Sequence, residues 1–81
     1  MADALAADQT YDASGLLCPL PVLRANRMMR ALAPGQTLKV LATDPAAAAD
    51  FPAYCRQTGH TLVQAAREGD TLVFLIRKKD D

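Results

Sequence analysis

The sequence predicts an α/β two-layer sandwich of order β-α-β-α-β-β, with a four-stranded mixed sheet and two helices on one face. Three observations lead there. Apolar residues recur at helical spacing in two segments, one closed by Ala33-Pro34-Gly35 and the other by Gly59. Strand-like stretches precede, separate and follow those segments. The last two strand-like stretches are joined by Glu68-Gly69-Asp70, a hairpin connection. Right-handed crossovers place both helices on one side of the sheet when successive units add in the same direction.

Residues 1–9 are rich in Ala and Asp without periodicity and read as a flexible tail, which leaves 10–79 as a single domain. Gln9–Ala13 is a short strand candidate closed by a Ser14-Gly15 turn. Pro21–Leu32 has helical spacing, with Val22, Ala25, Met28, Met29 and Leu32 on the core side. Thr37–Thr43 alternates, so Leu38, Val40 and Ala42 face the core. Asp44-Pro45 reads as the N-cap and first residue of a second helix that runs to Thr58. Its buried face carries Ala47, Phe51, Tyr54, Cys55 and Thr58, and Pro52 predicts a kink or short break near Asp50–Pro52. His60–Arg67 and Thr71–Lys78 are the last two strands. Leu72–Ile76 is apolar on both faces, which predicts an inner strand with Val73 and Leu75 covered by neighbouring long side chains.

Composition excludes several functions. Nine Lys and Arg balance nine Asp and Glu, leaving no basic surplus to hold a phosphate backbone. Aromatic content is 5% with no Trp, a poor platform for stacking bases, so no direct nucleic-acid partner is expected. The longest apolar runs fall far short of the roughly 20 residues of a membrane helix. Residues 1–9 carry no basic residue ahead of an apolar stretch, unlike a signal peptide. A cytoplasmic protein without a membrane partner is the expectation. Two cysteines are too few for a disulfide-built scaffold, so each is either a small hydrophobe or a reactive thiol. Cys55, on a face with Phe51 and Tyr54, reads as core. His60 reads as a helix-end or surface residue, and Asp44 as a cap.

Cys18 stands where the chain passes from the Gly15 turn into the first helix, within Cys18-Pro19-Leu20-Pro21. Unpaired N–H groups at a helix start stabilise a thiolate, so a lowered pKa and a nucleophilic sulfur are expected. Pro19 biases Cys18 toward extended backbone, suited to an N-cap, and the helix starts at Pro19 or Pro21. Both prolines stiffen the entry. A thioredoxin-like Cys-x-x-Cys pair would need a cysteine where Pro21 stands, which favours transfer of a group held on one sulfur. No zinc-ligand spacing is present, and no metal or cofactor is expected. His60 pairs with Cys18 only if the fold brings them together. On the outer face of the first helix, Leu20, Leu23, Arg24, Arg27 and Arg30 offer a docking surface for an acidic partner with an apolar centre.

Asp12-Ala13-x-Gly15-Leu16-x-Cys18-Pro19-x-Pro21-Val22 resembles the hallmark of the TusA/SirA/YeeD/YedF-like sulfur-carrier family. Asp44-Pro45, Phe51-Pro52-x-x-Cys55, Gly59-His60 and Leu75-Ile76-Arg77-Lys78 resemble the rest of its pattern, so the likeness covers Thr10 to Lys79. The resemblance implies a sandwich like the C-terminal domain of bacterial translation initiation factor three. It also implies that Cys18 carries sulfane sulfur as a persulfide, loaded by a cysteine desulfurase or rhodanese-type donor. A DsrE-like or other acceptor protein would take the sulfur onward, toward tRNA thiolation, molybdenum cofactor assembly or sulfur oxidation. Members serving tRNA thiolation carry a basic residue before the cysteine and an acidic one between the prolines. Here those positions hold Leu17 and Leu20. A regulatory adaptor that binds through the Leu20/Leu23/arginine face, and a redox sensor with a Cys18–Cys55 disulfide, are the alternatives on the same residues.

Overall fold

The computed structural model describes residues 7–80. The elements are β1 (Gln9–Ala13), α1 (Leu20–Ala31), β2 (Thr37–Ala42), α2 (Ala47–Thr58), β3 (Thr61–Glu68) and β4 (Thr71–Arg77). The strand order is β1-β2-β4-β3, with β1 parallel to β2 and the other neighbours antiparallel. This is the predicted mixed sheet.

Alternation along β2 sends Leu38, Val40 and Ala42 beneath the helices, opposite Ile76, Phe74 and Leu72 of β4. Pro21, Ala25 and Met29 of α1 and Ala47, Phe51, Tyr54 and Cys55 of α2 are the buried residues of the two helices. Phe51 stacks on Phe74 with ring centroids 4.7 Å apart. Burying one such side chain contributes roughly 1.5–3 kcal/mol. The α1 stripe is rotated slightly from its expected position, since Val22 and Met28 are only partly buried while Pro21 takes a core place. On the other sheet face Val73 and Leu75 are covered, packed with Leu41 and Ala7. The all-apolar strand is therefore an inner strand with both faces protected.

Three local expectations change. The first helix starts at neither proline but at Leu20 between them, with Pro19 in the N-cap position. The second begins at Ala47 after a turn over Pro45-Ala46, so Asp44 caps that turn through Ala46 N–H (3.1 Å) and not the helix itself. It then runs unbroken through Pro52, whose missing N–H removes one bond without interrupting the helix. Gly59 ends it at φ +88°, its N–H donating to Cys55 O at 2.9 Å. Of the tail, residues 1–6 lie outside the described residues. Asp8 and Gln9 belong to the fold. Asp8 exchanges backbone and side-chain hydrogen bonds with Thr37, and Gln9 opens β1.

Candidate functional site

Because β1 and β2 are parallel, both strands end at the same edge of the sheet, and the loops that leave them lie side by side. The first loop carries Cys18 and the second carries Thr43-Asp44. Gly15 N–H donates to Thr43 Oγ1 (2.8 Å), and Cys18 N–H donates to Asp44 Oδ2 (2.7 Å). Within the first loop, Leu16 N–H donates to Ala13 O and Ser14 N–H to Asp12 Oδ1. Gly15 turns at φ +83°, in the left-handed region, where a side chain is strained even though the space around it is open. The Cys18–Pro19 peptide bond is cis. Cys18 is thus exposed on a backbone anchored at several points.

The sulfur opens onto a hollow of about 240 Å³ between α1 and α2, walled by Pro19, Val22, Ala53 and Tyr54, with Asp50 and Gln57 at its polar edge. Asp50, one turn into α2, is the group that the sequence alone did not connect with Cys18. Its hydrogen bond to the thiol raises the thiol pKa, assisted by desolvation and by the negative charges of Asp50 and Asp44. The expected lowering by the helix start is therefore reversed in sign. Helix N-termini attract negative charge, but two carboxylates beside the sulfur outweigh a partial charge of roughly half a unit. Asp44 is itself held below the usual carboxylate range by the Cys18 and Ala46 N–H groups. The signal that could have revealed the pair was the Asp44-Pro45 step following a parallel strand, which points its carboxylate back at the neighbouring loop.

The other singled-out residues separate cleanly. Leu17, Leu20 and Leu23 are exposed, the first and last at 69% and 57%, beside the exposed Arg24, Arg27 and Arg30. All but Leu17 belong to α1, the helix that Cys18 precedes, and Arg30 also lines a hollow that does not include Cys18. Cys55 is buried in the core, and burial pushes its thiol up to about 11. Both cysteines are free. His60 opens onto a different hollow from Cys18, and its Nδ1 accepts the Lys79 N–H at 3.1 Å. Burial, then Lys79 and Lys78, hold its pKa below the usual value. Among the described residues, no group of three or more His, Cys, Asp or Glu is placed to hold a metal ion. No helix among the described residues is long and apolar enough to cross a membrane.

Fold and site together define a small β-α-β-α-β-β sandwich that presents one exposed cysteine at the entry of its first helix. The family model for sulfurtransferase TusA matches residues 9–78. The chain belongs to the TusA family. The sulfur carrier protein TusA of Allochromatium vinosum is 51% identical over 71 residues, 88% of this chain and 93% of that protein. The sulfur carrier protein TusA of Pseudomonas aeruginosa is 47% identical over 91% of this chain and 94% of that protein. The crystal structure of a SirA-like protein from Desulfitobacterium hafniense superimposes with a TM-score of 0.78, covering 88% of this chain and 97% of that one. At 22% identity, that likeness shows the shared fold.

Proposed function

We propose that this protein carries sulfane sulfur as a persulfide on Cys18 in the cytoplasm. It accepts the sulfur from a cysteine desulfurase or rhodanese-type donor and passes it to a cysteine of a DsrE-like or other acceptor protein. The observation that carries the reading is an exposed thiol on an anchored loop, with the other cysteine buried in the core. In loading, the Cys18 thiolate attacks the terminal sulfur of the donor persulfide. The donor's S–S bond breaks and its cysteine leaves as a thiolate. Delivery is the same exchange with roles reversed, so electrons balance without an oxidant. Gly15, Pro19 and Pro21 position the sulfur, and Leu20, Leu23, Arg24, Arg27 and Arg30 dock the partners.

Asp50 bears on the loading step. Its hydrogen bond and charge raise the thiol pKa of the empty carrier, so a partner that supplies positive charge or displaces the carboxylate favours the thiolate. A persulfide is intrinsically the stronger acid of the two, because its S–H bond is weaker and the adjacent sulfur withdraws electron density, and it remains ionised where the thiol does not. Leu17 and Leu20 replace the charged pair of the tRNA-thiolation members, so an apolar contact at this edge selects the partners. Mass spectrometry after incubation with a desulfurase and cysteine tests the reading. One added sulfur is expected on the wild-type chain and on Cys55→Ala, and none on Cys18→Ala. Modification of Cys55 alone would overturn it.

A further inference from the structure

A second hollow, of about 450 Å³, lies between the same two helices and takes in Asn26, Arg30, His60, Lys78 and Lys79. Gln57 lines both hollows. Between them, Tyr54 of the first hollow donates its hydroxyl hydrogen bond to Asn26 Oδ1 of the second, at 2.9 Å. The two hollows adjoin at Gln57, and their far ends differ in charge. At one end stand Cys18 and Asp50; at the other, three cations and an imidazole whose charged form burial and the two lysines disfavour.

The cations are not all spent inside the fold. Lys78 Nζ donates to Arg30 O and Leu32 O, closing the carbonyl end of α1. Neither the Arg30 guanidinium nor the Lys79 ammonium has an ion-pair partner among the described residues. Cys18 is exposed at the end of the first hollow, where a cysteine on an extended stretch of chain lying along the two hollows can reach it. Val22 of the first hollow and Arg30 of the second lie roughly 12 Å apart along α1, at ~1.5 Å per helical residue. An extended chain crosses that distance in about four residues.

We propose that the two adjoining hollows are the docking track for an extended, acidic segment of a relay partner. The partner's reacting cysteine lies over Cys18, and its carboxylates lie about four residues away, against Arg30 and Lys79. The inference rests on the sulfur-carrier reading and adds to it the partner's local chemistry. Charge complementarity sets both the occupant and its polarity, since the reverse placement would bring carboxylates against Asp50.

The test uses the full chain persulfidated with inorganic polysulfide, which makes loading independent of any docking protein. The acceptors are Ser/Ala-rich peptides with one cysteine and a Glu-Glu pair about four residues to either side, plus Gln-Gln and Lys-Lys versions. Transfer is followed as the mass of one sulfur gained by the peptide at sub-saturating concentration. At least one Glu-Glu peptide is expected to react about tenfold faster than its Gln-Gln version. Lys79→Glu should erase that advantage and favour Lys-Lys, while its transfer to free cysteine stays at the wild-type rate. Arg30→Glu should act in the same direction. Equal rates for Glu and Gln peptides, or a preference untouched by Lys79→Glu, would overturn the docking track and leave the carrier reading standing. Tighter binding of a short RNA than of either Glu-Glu peptide would assign the wrong occupant. Failure of Cys18 to load at all would sink both.

Discussion

The loop that carries Cys18 and the helix face that carries Cys55 hold the same side chain in opposite settings. Both thiols have raised pKa values, but for different physical reasons. Cys55 is pushed to about 11 by burial, which no partner relieves without opening the core. Cys18 is exposed, and its shift comes first from a hydrogen bond to Asp50, a single carboxylate at the rim of a hollow. One restraint is removable and the other is not. Reactivity in this chain therefore depends less on the acidity of the resting thiol than on whether its suppressing group can be displaced.

The largest expected effect separates packing from chemistry. Phe51→Ala should cost about 3–5 kcal/mol by cavity formation, since Phe51 is fully buried and stacks on Phe74. Chemical denaturation measures it. Any surviving fold should react at Cys55 with a thiol reagent far faster than wild type, because the core that protects the sulfur has been opened. An unchanged Cys55 rate in a destabilised but folded variant would break the comparison.

Next comes the removable restraint. Deprotonation of Cys18 takes place above the ordinary thiol range, so its alkylation rate should rise with pH along a curve displaced upward. Asp50→Asn removes the negative charge and shifts that curve to lower pH, making neutral-pH alkylation several-fold faster. Cys55 should be unaffected. A slower or unmoved Cys18 curve in Asp50→Asn would show that Asp50 does not suppress the thiol.

A smaller effect belongs to Cys55→Ala. Deleting one buried heavy atom should cost about 1 kcal/mol, comparable to the smaller core truncations. That corresponds to roughly 4–8 °C in Tm for a domain of this size. Loading at Cys18 should persist. The same deletion at the exposed sulfur, Cys18→Ala, should leave Tm within experimental scatter.

The smallest effect concerns the anchor. Asp44 has a depressed pKa, so its contribution is present above the free-carboxyl value of 3.8 and is lost as pH falls through its lower, folded value. The Cys18 amide proton should therefore titrate by NMR with a midpoint below 3.8. Asp44→Ala should abolish that titration and reduce protection of the Cys18 amide from hydrogen exchange. An amide titrating at the free-Asp value would mean that the 2.7 Å bond does not persist in solution.

Much of the fold was legible in local chemistry. The Gly35 and Gly59 punctuation and the Gly69-Asp70 turn follow from the residues nearby, because positive-φ turns and helix stops are short-range preferences. The two-sided apolar run in β4 likewise announced an inner strand. Cys18, held between the Gly15 turn and two prolines, stood out for the same reason. Boundaries beside proline were less legible. Pro19, Pro21 and Pro45 are each tolerated at several positions near a helix start, and neighbouring packing chose among them.

What sequence alone determined is the set of elements, the periodic faces that pack them and the identity of the one presented thiol. Those properties rest on backbone preferences and on apolar spacing within a dozen residues. Tertiary structure decided the sulfur's electrostatic surroundings. Parallel pairing of β1 with β2 places Asp44, 26 residues away, on the Cys18 amide, and brings Asp50 of α2 to the thiol. It also set α1 against α2, with the Cys18 hollow and the Arg30 and Lys79 hollow meeting at Gln57. Charges act through space, so no local reading of Cys18-Pro19-Leu20-Pro21 contains the two carboxylates that reverse the sign of its thiol shift.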